Sequence, residues 1–245
     1  LPDLVALCEV ENDSCLVDLT KRSLLRKARY EYVMTHSPDE RGIDVALLYS
    51  PFSFRLLQSY SIRIHPMKEM RPTRDILYVK GRVSLRDTLH VFVVHAPSRT
   101  AGERPTRAHR RLVTNRLLQS IDSLRALSAH PNILLMGDFN DYSTDENIRQ
   151  LTDHGIVDVS QHAVGTHGAK GTYRFRGDWG SLDHIMVDEH TAQRLVECHV
   201  HDAPFLLKED EKYGGVQPRR NYLGPRYQNG FSDHLPLVAR LRWDD

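Results

Sequence analysis

Leu134-Leu135-Met136-Gly137-Asp138-Phe139-Asn140-Asp141 is an apolar run that stops abruptly at a glycine, two carboxylates and an amide. Ile133 to Met136 is short, apolar and bounded by turn residues, so it predicts a buried strand. A carboxylate just past such a strand is where an α/β protein keeps its working residues, because the strand is rigid and its end is open. Alone, a Gly-Asp-x-Asn segment is also a good turn.

Two other segments repeat the arrangement. Leu7-Cys8-Glu9-Val10-Glu11-Asn12 ends one apolar run, and Phe231-Ser232-Asp233-His234-Leu235-Pro236 leads into another. Together they place hard oxygen ligands, an amide and an imidazole at separate strand ends. A hard cation such as magnesium takes one or two carboxylates plus water and substrate phosphate. A histidine beside it can take a proton from an attacking water. An asparagine amide can donate to developing phosphoryl charge while its oxygen positions the water. These are the parts that phosphate-ester hydrolysis needs.

Working outward, Val5–Cys8, Asp44–Tyr49, Ile76–Val79, Leu89–Val94, Leu182–Val187 and Pro236–Leu241 also read as strands. Ser14 to Lys27 and Arg104 to Leu127 place leucines and isoleucines at helical spacing. A short third helix is expected near Thr144, an N-cap candidate. Lys208 to Gly230, rich in Lys, Arg, Tyr, Gly and Pro, reads as a long surface loop. One α/β domain over residues 1–245 is the simplest organisation.

The 245 residues carry a net charge of +1, so there is no global polycation argument for nucleic acid. No apolar run reaches the roughly 18 residues of a membrane span. Cys8, Cys15 and Cys198 form no CxxC pair, which argues against a disulfide framework and against structural zinc. No HExxH or comparable histidine pair supports a zinc hydrolase. The start at Leu1 reads as trimmed, so any signal or anchor would lie upstream and the compartment is not legible.

Five segments, in order, resemble motifs of the endonuclease/exonuclease/phosphatase superfamily, the deoxyribonuclease I-like phosphoesterases. PDLVALCEVEN is similar to its glutamate motif, VFVVHAPSR to its internal histidine motif, and LLMGDFND to its Gly-Asp-x-Asn motif. SLDHIMV and FSDHLPL resemble its Leu-Asp and Ser-Asp-His motifs. The resemblance implies an α+β fold: a four-layer αββα sandwich of two packed mixed β-sheets flanked by helices. It also implies Mg2+, with Mn2+ as a substitute, bound by Glu9 and by Asp233 directly or through water. Asp138 and Asn140 would orient the nucleophile and the scissile phosphate, and His234 would be the general base, held in the right tautomer by Asp183. His95 would stabilise the transition state or assist the leaving group, with Asp75 as its acidic partner. The family carries a further Asn motif on its first strand, and nothing before Glu9 supplies it, so that strand is expected upstream.

The implied activity is hydrolysis of a phosphoester by a nuclease, phosphodiesterase or phosphatase, on nucleic acid or a small phosphorylated molecule. The rival is a catalytically impaired phosphate- or nucleic-acid-binding module of the same fold. Arg41 and Arg99 sit beside site strands and are candidates to clamp substrate phosphate. His184, next to Asp183, points to the opposite face of a regular strand and reads as structural. Tyr173, Phe175 and Trp179 are either a substrate-facing patch or loop packing. Arg219, Arg220 and Arg226 are either solvated or within reach of an anion.

Overall fold

In the computed structural model, which describes residues 1–68, 70–100 and 102–243, the strands come in chain order as follows. First are β1 (Leu4–Val10), β2 (Glu31–Met34), β3 (Asp44–Tyr49), β4 (Arg55–Ile62), β5 (Ile76–Arg82), β6 (Thr88–His95), β7 (Asn132–Asp138) and β8 (Ile156–Asp158). Next are β9 (Tyr173–Phe175), β10 (Asp178–Gly180), β11 (Asp183–Asp188) and β12 (Leu195–Val200). Last are β13 (Leu207–Glu209), β14 (Val216–Pro218), β15 (Tyr222–Leu223), β16 (Arg226–Tyr227) and β17 (Leu237–Leu241). The α-helices are α1 (Asp13–Val17), α2 (Glu103–Leu127), α3 (Glu146–Asp153) and α4 (Glu189–Ala192).

The largest sheet has six strands in the order β4-β5-β6-β7-β11-β8. It is mixed: β6 and β7 run parallel, while the other neighbours are antiparallel. A parallel pair needs a crossover, and α2 supplies it. A smaller sheet, β1-β3-β2, is antiparallel throughout, as is the separate pair β12-β17. The expectation of two mixed sheets therefore holds for the larger one only, because no crossover joins parallel neighbours in the smaller.

Alternation along the strands sorts side chains between two cores. Phe92, Val94, Ile133, Leu135 and Met186 pack on Val113, Leu117 and Ile121 of α2 and on Ile148 and Leu151 of α3. The intervening residues Val91, Val93, Leu134, Ile185 and Val187 meet Val45 and Leu47 of the smaller sheet. A third cluster joins Ala46 and Leu48 to Leu16 and Tyr30 on the far side of that sheet. Each fully buried aliphatic side chain contributes about 1.5–3 kcal/mol. The two-residue period then fixes which face receives the last residue of each strand, and this decides the site.

Two expected elements form differently. The single helix over residues 14–27 breaks into α1, a π turn over Asp18–Arg22 and a 3-10 turn over Leu24–Ala28. Ser23 causes the break: its hydroxyl accepts from the Leu25 N–H, competing with helical hydrogen bonding. The loop over 208–230 contains two small hairpins, β13/β14 and β15/β16. The third helix is capped by Asp145 rather than Thr144.

Strand β4 is an edge of the six-stranded sheet, and its register against β5 shifts between Leu56 and Gln58, so Leu57 bulges out into solvent. Among the described residues, no helix is long and apolar enough to cross a membrane.

Candidate active site

His95, Asp138 and Asp183 end or begin three adjacent strands and lie side by side in one row. His95 pairs with Asp138 in the parallel β6–β7 ladder, and Asp138 pairs with Asp183 in the antiparallel β7–β11 ladder. Val93, Met136 and Ile185, two residues away on each strand, face the inter-sheet core, so this row opens on that same side. Two carboxylates directly opposite each other are an unfavourable pairing. Burial and then Asp183 push the Asp138 carboxyl up to about 7. The His95 Nε2 lies 3.7 Å from Asp138 Oδ2.

Gly137 makes this row possible. Its φ is +135°, and a Cβ there would sit 1.9 Å from the Val94 carbonyl oxygen of β6. Just beyond, Asn140 adopts φ +52° and folds back onto Asp138. Its backbone N–H donates to Asp138 Oδ1 at 2.8 Å, and its amide Nδ2 donates to Asp138 Oδ2 and to the Ala96 carbonyl, each at 3.0 Å. Both amide hydrogens are thus spent within the protein. A flipped amide would set Oδ1 against a carbonyl and a carboxylate, so the orientation is fixed. The amide donation to a phosphoryl oxygen expected from the sequence is therefore not open, and Oδ1, an acceptor, is what Asn140 offers.

The Ala96 carbonyl also accepts from Arg74, an arginine with no signal in the sequence. Arg74 is buried, and donates from Nε to the His95 carbonyl at 3.1 Å and from Nη2 to the Ala96 carbonyl at 2.7 Å. Its third nitrogen donates to Asp39 Oδ2 at 2.9 Å, so the buried charge is paired. One guanidinium thereby clamps the end of β6 to the segment before β3.

His234 comes from the segment before β17. Its Nδ1 lies 2.7 Å from Asp183 Oδ2, which also accepts from the Thr172 hydroxyl at 2.6 Å. Burial disfavours the His234 cation, but Asp183, backed by Asp138 and Asp233, outweighs this and raises its pKa to about 9. An imidazole held by a carboxylate at Nδ1 presents Nε2 for proton exchange. Tyr173 packs against it, ring centroids 4.9 Å apart. One ligand atom each from Asp138, Asp183 and His234 falls within 4.8 Å of the others.

His95 is buried, and desolvation followed by Arg74 and Arg41 holds its pKa well below the ordinary imidazole value, so the ring is neutral. The expected pairing with Asp75 is not made. The β5–β6 ladder ends at Leu77 and Val93; continued by two residues, its register would set Asp75 opposite His95. Its carboxylate turns instead to Arg63 Nε at 3.4 Å and the Ile64 N–H at 3.4 Å. His95 Nδ1 is left buried without a hydrogen-bond partner, and Asp75 Oδ2, also buried, has the Arg63 ion pair but no hydrogen bond.

Glu9 sits in a β-bulge. Leu7 pairs with Ala46 and Val10 with Asp44, so Cys8 and Glu9 together oppose Val45 alone. Glu9 takes φ +59°, a costly conformation for a non-glycine residue, and its side chain is mostly exposed with Arg41 at 3.7 Å. A bulge re-aims a side chain, and bulges occur beside sites and also on edge strands such as β1. Cys8 ties this end to β6, its Sγ donating to the Val94 carbonyl at 3.5 Å. Asp233 is exposed beside His234. The donors that the structure gathers, Asp138, Asp183 and His234, are carboxylate oxygens and an imidazole, which suit a dication, and the negative charge crowded at Asp138 and Asp183 is what a cation would relieve. Glu9 and Asp233, the expected ligands, lie outside that group.

Other expected residues have local partners. Arg99 pairs with Asp145 at 2.6 Å and lies over the Tyr142 ring. His184 is buried on the opposite face from Asp183, between Asp158 and the Asp141 carbonyl, each at 2.8 Å. Since both partners accept, the ring must donate from both nitrogens. Trp179 packs on a small core with Ala169 and Leu235, while Phe175 is exposed.

Comparison with known proteins gives the family and the fold. The Endonuclease/Exonuclease/phosphatase family profile matches residues 1–243. No curated protein sequence matches the chain. Among solved structures, a mannosyl-6-phosphatase of Bacteroides thetaiotaomicron is 17% identical with a TM-score of 0.68, covering 98% of this chain and 85% of that one. The human Nocturnin catalytic domain with bound sulfate is 18% identical with a TM-score of 0.61, covering 98% of this chain and 81% of that one. Truncated Caenorhabditis elegans TDP2 is 16% identical with a TM-score of 0.58, covering 96% of this chain and 83% of that one. At such identities the likeness is one of fold, but the profile spans nearly every residue, and the chain belongs to the endonuclease/exonuclease/phosphatase family.

Proposed function

We propose that the chain, acting as a single domain, hydrolyses a phosphoester by attack of water on phosphorus. The observation that carries this reading is the row of His95, Asp138 and Asp183, with His234 bonded to Asp183 at 2.7 Å. Family membership supports it, as do a structural neighbour named as a phosphatase and another holding sulfate, a tetrahedral oxyanion.

In this reading Asp183 holds the His234 ring so that Nε2 faces the nucleophilic water. With a pKa of about 9 in the metal-free protein, the ring takes the water's proton only from its unprotonated form, a form that a cation beside Asp183 would favour. Asp138 fixes Asn140, whose Oδ1 accepts from the water and so aims it. Neutral His95 donates from Nε2 toward a phosphoryl oxygen, and Arg41 at the rim meets the incoming phosphate. Arg99 assists only if it exchanges Asp145 for substrate. Glu9 would hold Mg2+, with Asp233 contributing through water. When bound, Mg2+ supplies Lewis-acid polarisation of the phosphoryl oxygen and charge neutralisation.

The test is hydrolysis of a phosphodiester and a phosphomonoester by the full chain, with Mg2+ and with chelator. The reading expects chelator-sensitive turnover that falls by about 10²–10⁴ in His234→Ala. Equal turnover in wild type and His234→Ala would sink it. Glu9→Gln should raise the Mg2+ concentration needed for half-maximal rate, and an unchanged titration would remove Glu9 from the metal site. Retained phosphate binding with no turnover of either ester would favour a binding module that has lost catalysis.

A further inference from the structure

Among the described residues, the exposed aromatics Phe175, Phe205, Tyr213, Tyr222, Tyr227 and Phe231 lie on β9 and residues 205–231, while Phe52, Tyr60 and Tyr142 lie elsewhere. Tyr173, whose ring touches His234, and Phe175 project from the same face of β9. Their planes are within 12° of parallel and their centroids 6.5 Å apart, the two-residue step of a strand at about 3.3 Å per residue. That spacing is close to two steps of a stacked nucleic-acid strand at about 3.4 Å per base, so it suits one planar ring held between them. Phe175 is 54% exposed, so its ring is open to an incoming partner.

The rings continue outward, and each carries a guanidinium. Arg220 lies over Tyr173, Arg176 over Phe175 and Arg219 over Phe231. Arg220 donates from Nη2 to the Arg174 carbonyl, while its Nε is buried and unpartnered. Beyond them the β15/β16 hairpin exposes Tyr222 and Tyr227 at 57% and 62%. Residues 207–231 hold Lys208, Lys212, Arg219, Arg220 and Arg226; their acids, Glu209, Asp210 and Glu211, all precede Lys212, and Asp210 is paired with Arg174. The chain as a whole is nearly neutral at +1, so this concentration of positive charge is local.

We propose that β9 and the hairpins of residues 207–231 form a platform for single-stranded nucleic acid, stacking its bases and leading a backbone phosphate to His234. Alternating aromatic faces and cations match a polymer of stacked rings joined by phosphates. A buried, closed pocket for a small phosphorylated molecule would not spread its rings over three hairpins. A lipid surface fits less well, because driving these rings into hydrocarbon would strip the arginines above them of water. The proposal uses the phosphoester reading only for the direction in which the strand runs.

Fluorescence anisotropy on the full chain, in chelator so that nothing is cut, separates the cases. The probes are a labelled 12-residue oligothymidylate, a ring-free abasic deoxyribose-phosphate of equal length, and vesicles with anionic phospholipid. The platform expects tighter binding of oligothymidylate than of the abasic strand. Phe175→Ala should weaken oligothymidylate about 5- to 150-fold, the range of one base–aromatic stack, and Phe175→Trp should restore it. Tyr222→Ala with Tyr227→Ala should weaken it further. Equal affinity for both strands, indifference to Phe175→Ala, or binding to vesicles alone would each overturn the platform. Mg2+-dependent turnover of a phosphodiester and a phosphomonoester reports separately on hydrolysis: turnover without oligonucleotide binding sinks the platform alone, and binding without turnover of either ester or of the oligonucleotide sinks hydrolysis alone.

Discussion

Gly137→Ala perturbs the contact on which the row of His95, Asp138 and Asp183 depends. The added Cβ would lie 1.9 Å from the Val94 carbonyl oxygen and 2.9 Å from its carbon, both backbone atoms in a parallel ladder. Reaching ordinary van der Waals contact requires the strands to separate by about 1.5 Å. At φ +135° the alanine is strained as well, at about 1–3 kcal/mol. With the clash included, the loss of stability should be at least about 3 kcal/mol. Separation of β6 from β7 also moves His95 away from Asp138, and misplacement by about 1 Å costs about 10² in rate. Guanidinium unfolding and Mg2+-dependent phosphodiester turnover, measured well below the melting range, read the two effects. A variant with stability within about 0.5 kcal/mol of wild type and full turnover would refute the reasoning.

Other residues give sharper local tests. Asp183→Asn removes the partner that holds His234 near 9 against an ordinary 6.5, a difference of about 3 kcal/mol. In chelator-treated protein the His234 ring should titrate well below its wild-type position by NMR, and turnover should fall by about 10²–10⁴. An unmoved titration would show that Asp183 does not orient the ring. The buried His184–Asp158 pair makes stability depend on pH at both ends. Burial opposes both charges, but mutual attraction raises His184 above 6.5 and lowers Asp158 below 3.8. The pair's stabilisation is therefore full between those ordinary values, fades as pH rises through the raised His184 pKa, and fades again as pH falls through the depressed Asp158 pKa. His184→Ala should cost about 3–5 kcal/mol in that window, with a gap to wild type that narrows at alkaline pH. A pH-independent gap would contradict the ion pair. Arg74→Lys keeps a charge but cannot serve Asp39, His95 and Ala96 together, so thermal unfolding should shift down by about 2 kcal/mol. Unchanged melting would mean the clamp is dispensable.

How much of this was legible in the sequence depends on whether the information is local. Asp44–Tyr49, buried on both faces, is a continuous apolar run and shows plainly. Strand β4, Arg55–Ile62, is an edge in which only Ile62 is fully buried and a bulge and Gln58 interrupt the alternation of Leu56, Tyr60 and Ile62, and it does not. The carboxylates and histidines that cap strands stand out because they interrupt apolar runs. Their mutual arrangement follows from alternation once the strands are known, which is why Asp183 and His184 separate onto opposite faces. The bulge that re-aims Glu9 leaves no local trace, since it exists only as a register mismatch with β3. Arg74 is equally silent, because its meaning lies in acceptors up to 35 residues away. Asp75 is the instructive miss. The register, continued, would set it opposite His95, but a competing arginine, Arg63, took its carboxylate.

The bulge at Leu57 bears on solubility. An edge strand presents unpaired N–H and C=O groups on which a second chain can template, which makes it a route to aggregation. In β4 the extra residue bends the strand away from straightness, and Arg55 adds charge at its start. Deleting Leu57 would restore a flat register with β5 from Arg55 to Ile62 and leave Tyr60 on an adhesive border. Such a protein should fold, and it should precipitate at concentrations where the parent stays dispersed.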